Sequence, residues 1–423
     1  MSFIDFQFHP TIAAGITACG YSTPTPIQKE AIPAIMAGRD ILGLAQTGTG
    51  KTAAFVLPLL ERLLTGPRKK VRALIVAPTR ELAEQIHENI GNMSQKTDLH
   101  SMVIYGGVGK GRQISTLRAG VEIVVACPGR LLDLLNEKAL TLNSVEVLVL
   151  DEADHMFDKG FLPDIRRIIK LLPRNRQSLV FSATMPGEIR HLAEEILKNP
   201  VTVQINHTLP APSISHSLFH VTTDQKTSLL KNIIKEREMT STLVFTRTKH
   251  KAKSLALQLE RSGFNATAIQ GNLSQQKRQQ ALDGFRDGTY EILVATDIAA
   301  RGIDVTGISH VINYDMPDTA ETYTHRTGRT GRASRTGEAL TFAGHEDGKM
   351  IALIERNLGK KMVRETTPAL SPATEEDRRE ERRDASPRQA PRPKKTGTAG
   401  GQGKSRRDKA CAFDFGTRKT YQR

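Results

Sequence analysis

Residues 45–52 read Ala-Gln-Thr-Gly-Thr-Gly-Lys-Thr. Paired glycines followed by a lysine and a hydroxyl are the parts of a loop that holds phosphate. Gly48 and Gly50 let the backbone pass close to phosphate oxygens. Successive N–H groups from Ala45, Gln46, Thr47 and Thr49, with the N-terminus of a following helix, then bind the anion. Lys51 supplies positive charge at the β- and γ-phosphates, and the Thr52 hydroxyl can reach Mg²⁺. Ala45 departs from the general pattern, which begins with glycine. A plain glycine-rich turn is the bland alternative. The apolar stretch Ile41–Leu44 before the loop and a helical stretch from Lys51 after it argue against that alternative. A second reactive group, Asp151-Glu152-Ala153-Asp154, directly follows the apolar run VEVLVL. Asp151 could hold Mg²⁺ directly or through water, and Glu152 could orient and deprotonate an attacking water. Alone, such acids are more often a solvated turn. At the carboxyl end of a buried strand, beside a phosphate loop, the catalytic role is favoured. A third group, His325-Arg326-Thr327-Gly328-Arg329-Thr330-Gly331-Arg332, spaces three arginines evenly. Arginines brought from another domain can stabilise charge on a transferring γ-phosphoryl, worth up to ~10⁵ in rate. On spacing alone, an RNA-facing or merely solvated basic turn weighs as much.

Positioning such groups requires a parallel sheet. Short apolar runs at 73–77, 122–126, 145–150 and 178–181 alternate with helix-like stretches at 52–64, 81–90 and 186–197. Strands apolar along their length and separated by helices indicate a parallel sheet covered on both faces. Residues 199–215 hold Pro200, Pro210 and Pro212 without helical periodicity and read as a linker. The alternation resumes with strand-like 242–245, 291–295 and 310–313 and helical 249–262 and 275–285. The last helix is expected to end near Leu358. Two α/β domains in tandem follow. The boundaries expected are 1–30 for an N-terminal region, 31–204 for the first domain, 205–215 for the linker, 216–365 for the second domain and 366–423 for a basic, mostly disordered tail. Within the tail, 375–384 could form an exposed charged helix.

The chain of 423 residues suits two or three domains, and its net charge is +15. Eleven Lys/Arg and two Asp/Glu place a net +9 in residues 385–423. That asymmetry suggests a polyanion partner, nucleic acid first, with a solubilising tail as the equal alternative. No apolar run reaches the ~20 residues that span a bilayer. The start, MSFIDFQFHP, lacks a basic segment followed by an apolar one, so no secretory leader is expected. Cys19, Cys127 and Cys411 form neither a disulfide framework nor a zinc spacing, which suits a reducing cytoplasm.

Taken together, these motifs resemble the DEAD-box family of superfamily 2 RNA helicases over roughly residues 3–345. The tetrapeptide at 151–154 gives that family its name, and the alanine-first loop at 45–52 is its form of the phosphate loop. Gly20–Gln28 (GYSTPTPIQ) looks like the Q motif. The resemblance implies that Gln28 reads the adenine edge, that Tyr21 packs on the ring and that Phe3 is the upstream aromatic. It implies RNA-backbone contacts from Pro78, Thr79, Arg80, Gly106, Gly107, Pro128, Gly129 and Arg130. Ser182-Ala183-Thr184 matches the motif linking hydrolysis to strand separation, with Asp154 and His325 as coupling residues. In the second domain, Thr246, Arg247, Gly271, Gln275, Arg278 and Thr296 would face RNA. Gly302 and Asp304 would lie at the nucleotide, Asp304 holding the ribose, and Arg329 and Arg332 would act as arginine fingers.

Departures from the family pattern are Cys127 for Thr, Gln270 for His and Thr327 for Ile. At Cys127 a buried strand-end residue is the favoured role over a reactive thiol. The stretch LVFTRTK at 243–249, with DKGF at 158–161, leans toward the bacterial RhlE-like group. The resemblance implies two tandem RecA-like domains, ATP and Mg²⁺ as cofactors and a cytoplasmic location. The partner implied is duplex and single-stranded RNA taken largely without sequence preference, with ribosomal or RNA-decay complexes as candidates and no membrane. The activity implied is ATP-dependent closure on RNA with local unwinding of short duplexes or remodelling of ribonucleoprotein. A DNA helicase or translocase, and a non-catalytic RNA chaperone or clamp, are the competing functions.

Overall fold

The computed structural model describes residues 1–46, 48–205, 214–237, 239–300, 305, 307–331 and 336–366. Thr47, Gly302, Asp304, Arg332 and everything expected of the tail from residue 367 onward lie outside the described residues. The strands are β1 (Ile41–Leu44), β2 (Ala73–Val76), β3 (Ser101–Ile104), β4 (Ile123–Ala126), β5 (Val147–Leu150), β6 (Gln177–Ser182) and β7 (Val201–Gln204), then β8 (Ile214–His220), β9 (Thr242–Phe245), β10 (Ala266–Ile269), β11 (Ile292–Ala295), β12 (His310–Asn313), β13 (Gly337–Ala343) and β14 (Val363–Glu365). They form two seven-stranded sheets, ordered β3-β4-β2-β5-β6-β1-β7 and β10-β11-β9-β12-β13-β8-β14. Every pairing is parallel. Numbered within its own half, the second sheet repeats the strand order of the first, so the two halves share one topology.

The central strands β2, β4 and β5 are buried at every residue because helices cover both faces. One apolar layer of the first half gathers Ile32, Phe55, Leu57, Ile75, Ile86 and Phe181, and the opposite layer gathers Leu74, Val124, Leu131, Leu148, Ile165 and Val180. The second half is built alike, around Leu230, Val244, Leu255 and Phe342 on one side and Leu243, Phe285 and Val311 on the other. Residues before 31 belong to the first of these layers. Phe3, Phe6, Phe8 and Ile12 are buried in it, and the helix Pro26–Met36 runs through the expected boundary at 30.

Sequence and structure differ at the linker. Residues 201–204 form the edge strand β7 on β1, and β8 begins at Ile214, so the expected linker 205–215 loses its last two residues to the second sheet. β7 leaves three of its four side chains at least partly open to solvent, which weakens the apolar signal. Pro200 sits just ahead of the strand, where no ladder N–H is required of it. The short edge strands β3, half-open, and β14, with no buried residue, are too brief to carry much apolar signal. The final helix, Gly348–Leu358, ends where expected.

Candidate active site

Parallel strands put every carboxyl end on one edge of each sheet, and most of the motifs follow such an end, the Gly20–Gln28 stretch ahead of β1 being an exception. Along the first sheet, Gly106-Gly107 follows β3, Pro128–Arg130 follows β4, Pro78–Arg80 follows β2, the acidic tetrad follows β5, Ser182–Thr184 closes β6 and the phosphate loop follows β1. Strand order therefore separates the residues expected at RNA from those expected at nucleotide, with the acidic tetrad between them. The second sheet repeats the arrangement: Gly271 follows β10, Thr296 follows β11 and Thr246-Arg247 follows β9.

The phosphate loop is tied down from several sides. Gly50 has φ 92°, and a Cβ there would lie 2.6 Å from Gln28 Nε2 and 2.9 Å from Thr25 Oγ1, so glycine is required. Gln28 is buried, its Nε2 donates to the Gly50 carbonyl (3.1 Å), and its Oε1 accepts from the Thr25 N–H (2.9 Å). In this structure the carboxamide expected at adenine clamps the loop instead. Phe3 and Tyr21 stack with centroids 6.0 Å apart and planes at 22°. The Lys51 ammonium is buried and donates to the Ala45 carbonyl at 2.8 Å. Gly48 also has positive φ, while Gln46, Thr49 and Thr52 are half-buried.

The acidic tetrad is buried rather than solvated. Burial raises the Asp151 carboxyl to about 6, with Glu152 pushing the same way and Lys51 opposing. Glu152 adopts left-handed backbone (φ 53°) as the N-cap of the helix Ala153–Asp158. Burial would raise its pKa too, but the His155 hydrogen bond and the charges of Lys51 and Arg329 outweigh that and hold it at about 2. Asp154 Oδ2 accepts from the Thr184 N–H (2.8 Å), the Thr184 hydroxyl (3.0 Å) and the Ala183 N–H (3.2 Å). Ser182 Oγ accepts from the Asp154 N–H (3.2 Å) and donates to the Thr184 carbonyl (2.7 Å). The two expected coupling elements are thus hydrogen-bonded into one unit.

Thr52 Oγ1 and the Asp151 carboxylate are hard oxygen donors, and a buried acid short of positive charge suits a cation. Among the described residues no cluster of three His, Cys, Asp or Glu could cage a metal.

A cleft of about 650 Å³ faces these groups from both halves: Gln46, Lys51, Glu152, Asp154 and Thr184 on one wall, Thr322, His325 and Arg329 on the other. Arg329 is buried. Its neighbour Arg326 has another task, which sequence reasoning missed. The Arg326 guanidinium meets Asp297 through two bonds of 2.6 and 2.7 Å, reaches Asn313 Oδ1 and the Asp315 carbonyl, and lies 5.0 Å over the Phe245 ring. It fixes the helix Ala320–Thr327 to the sheet so that Arg329 faces the cleft.

At the other end of the edge, several residues expected at RNA are engaged with protein. Arg80 covers Gly107 (φ 82°), where a Cβ would lie 2.4 Å from Nη1, and that nitrogen reaches Gln275 Oε1 at 3.4 Å. Arg278 Nε donates to Glu81 Oε1 at 2.7 Å, with side chains only 12% and 8% exposed. Gln275 Nε2 reaches the same oxygen at 3.5 Å. Glu81 therefore takes Arg278 and Gln275 from across the cleft, and Gln275 also takes Arg80. Arg130 donates to the Val108 carbonyl (3.2 Å) and braces the Gly106-Gly107 loop. The Thr79 hydroxyl caps its own helix by accepting from the Leu82 N–H.

Thr246, expected at RNA, is fully buried in this structure, its hydroxyl turned inward to the Thr248 and Ala295 carbonyls. Arg247, Gly271 and Gly129 are exposed, Thr296 is half-buried and Pro128 opens a helix. Burial, above all, pushes the Cys127 thiol up to about 12, in keeping with a strand-end residue rather than a reactive thiol. Removing one partner of the Glu81–Arg278 pair strands a nearly buried charge, at a cost of ~3–5 kcal/mol to the arrangement that joins the halves. The Glu81→Ala protein is expected to show a longer mean distance between fluorophores on the two halves, and an unchanged distance would contradict this.

Two parallel-sheet bodies of one topology, with a phosphate loop on one and a basic helix on the other meeting in a single cleft, define the class of two-domain helicase-type nucleotide hydrolases. The family model described as DEAD/DEAH box helicase matches residues 25–192, and that of the helicase conserved C-terminal domain matches 225–334. The chain is 40% identical to the DEAD-box ATP-dependent RNA helicase CshA of Bacillus licheniformis, over 89% of this chain and 77% of that protein. It is 43% identical to the RNA helicase CrhR of Synechocystis, over 82% of this chain and 71% of that one. Among solved structures, Saccharomyces cerevisiae Dbp5 bound to RNA and ADP BeF3 superposes with a TM-score of 0.79 at 32% identity, over 87% of this chain and 96% of that one. The chain belongs to the DEAD-box ATP-dependent RNA helicase family.

Proposed function

We propose that this protein hydrolyses ATP to close on RNA and locally unwind short duplexes or remodel ribonucleoprotein. The observation that carries this is the shared cleft, where Lys51 and Glu152 of the first half stand opposite His325 and Arg329 of the second. Lys51 leaves the Ala45 carbonyl for the β- and γ-phosphates. Glu152, ionised at neutral pH, accepts a proton from the attacking water and aligns it. Arg329, joined by Arg332, stabilises charge on the transferring phosphoryl. Thr52 and Asp151 would hold Mg²⁺, which when bound would neutralise phosphate charge. Gln28 turns from the Gly50 carbonyl to adenine, Tyr21 packs on the ring with the upstream Phe3 stacked against it, and Gly302 and Asp304 complete the site at the ribose.

The far end of both edges grips one RNA strand through phosphates and 2′-OH groups, in a shape a duplex cannot adopt. Ser182, Thr184, Asp154 and His325 link that grip to hydrolysis. Backbone contacts carry no sequence information, so recognition is largely sequence-independent. The subgroup proposed is RhlE-like, on the LVFTRTK and DKGF stretches alone. The location proposed is cytoplasmic, with ribosomal or RNA-decay complexes as partners. No helix among the described residues is long and apolar enough to cross a membrane.

The test is ATPase stimulation by RNA against DNA of the same sequence, with unwinding of a short RNA duplex alongside. RNA-selective stimulation with unwinding is expected. Equal stimulation by DNA would favour a DNA translocase, and binding without turnover a clamp, neither of which the relatives support.

Acid should separate metal binding from folding. The Asp151 pKa is raised above its unfolded value of 3.8 to about 6, so the folded state holds the extra proton. By linkage this group favours folding as pH falls through about 6 and disfavours it above. Mg²⁺ needs the carboxylate, so the gain in ADP affinity that Mg²⁺ provides should shrink below pH 6. Calorimetric titration at pH 5.5 and 7.5 reads this directly, and an equal gain at both would contradict it.

A further inference from the structure

One buried imidazole beside the proposed base has no part in that scheme. His155 immediately follows the acidic tetrad, and its Nδ1 lies 3.1 Å from Glu152 Oε2. The two side chains are only 7% and 9% exposed. We infer that His155 is a positioning residue for hydrolysis: its Nδ1–H holds Glu152 by Oε2, keeps Oε1 for the attacking water, and ties the base to the Ser182–Thr184 element. The inference rests on Glu152 being the base.

Proton inventory fixes the direction of the bond. An ionised carboxylate only accepts, so Nδ1 must carry the hydrogen. The pair is shielded from water, and a hydrogen bond to a charged group in such a place is neither screened nor readily exchanged for solvent. Glu152 needs this restraint. Its carboxylate sits at the end of three rotatable bonds on a residue already in left-handed backbone, and a base that wanders loses its alignment with the water.

The backbone that carries the imidazole is tied to the coupling unit through its amide N–H. The His155 N–H donates to Asp154 Oδ1 (3.0 Å), while Asp154 Oδ2 takes the Thr184 N–H (2.8 Å). A displacement of Ser182–Thr184 therefore reaches Glu152 through Asp154 and His155. An i,i+3 pair at a helix start could serve the helix alone. Here both side chains line the cleft, and the bond falls on the proposed base.

The test is RNA-stimulated ATPase of the full chain carrying H155L, H155N, H155Q or E152Q. The Asn amide nitrogen sits where Nδ1 sits, whereas that of Gln lies one bond farther out. H155L is expected to lose about 10- to 100-fold in kcat, the equivalent of one charge-assisted hydrogen bond. Its KM for ATP, and its RNA binding with a non-hydrolysable analogue, should stay within about twofold. H155N should keep kcat within about threefold, and H155Q should fall with H155L. If H155L fails to fold, as its melting curve would show, the contrast between H155N and H155Q carries the test. Wild-type kcat in H155L, or equal losses in H155N and H155Q, overturns the inference. An inactive E152Q beside a fully active H155L removes the role of His155 and leaves the base in place. A fully active E152Q removes both.

Discussion

Replacing Glu152 by Gln is expected to leave a protein that binds ATP and RNA yet turns over about 10²–10⁴-fold more slowly, the range a positioned general base supplies. The swap conserves shape, so the cleft should still close. What disappears is an anion held at about 2 by its surroundings and therefore fully ionised at neutral pH. An amide cannot take the proton of the attacking water. Unwinding that depends on repeated release should fall with turnover, and the complex with ATP and RNA should accumulate. Duplex-unwinding rates and γ-phosphate release measure the two effects. Unwinding at the wild-type rate would sink the enzymatic mechanism and return the molecule to the class of RNA clamps.

Loss of Arg329 should cost about 10³–10⁵ in kcat, as for arginines that reach a transferring phosphoryl from outside the phosphate-binding domain. The side chain is buried in the cleft wall opposite the phosphate loop, and its charge is felt at Glu152. Lysine offers a point charge without the planar fork, so Arg329→Lys should recover little of the loss. Arg326→Lys tests selectivity. Its guanidinium is spent on Asp297, so its loss should lower the melting temperature. Single-turnover hydrolysis at saturating RNA, with melting curves alongside, separates the two arginines. An Arg329→Ala protein with kcat within threefold of wild type would exclude the trans-acting role.

Chemistry written in contiguous residues was legible before any coordinates. The phosphate loop needs strand, glycines, lysine and helix in one register, and all four lie in a dozen residues. Buried strands such as ALIV and VLVL announce themselves because both faces are covered. Edge strands do not. VTVQ on β7 and SMVI on β3 bury only part of their side chains and look like loop. Pairs between distant residues are the least visible. Glu81 and Arg278 are 197 positions apart, and no periodicity connects them. Side-chain direction was equally hidden, since nothing in Thr246-Arg247 tells that the first turns into the core and the second into solvent.

The last strand of the second sheet has a consequence for everything after it. Because β14 runs parallel to β8, the chain reaches Glu365 at the carboxyl edge of the sheet, at the opposite end of the strand order from β10 and Gly271. Residues 385–423, which carry a net +9, follow that exit in sequence and are covalently leashed to it. Once the core has gripped a strand, any contact from that leash becomes an intramolecular event, at an effective concentration on the order of millimolar. RNA held by such a contact would stay tethered when the cleft opens, so a second round would meet the same molecule.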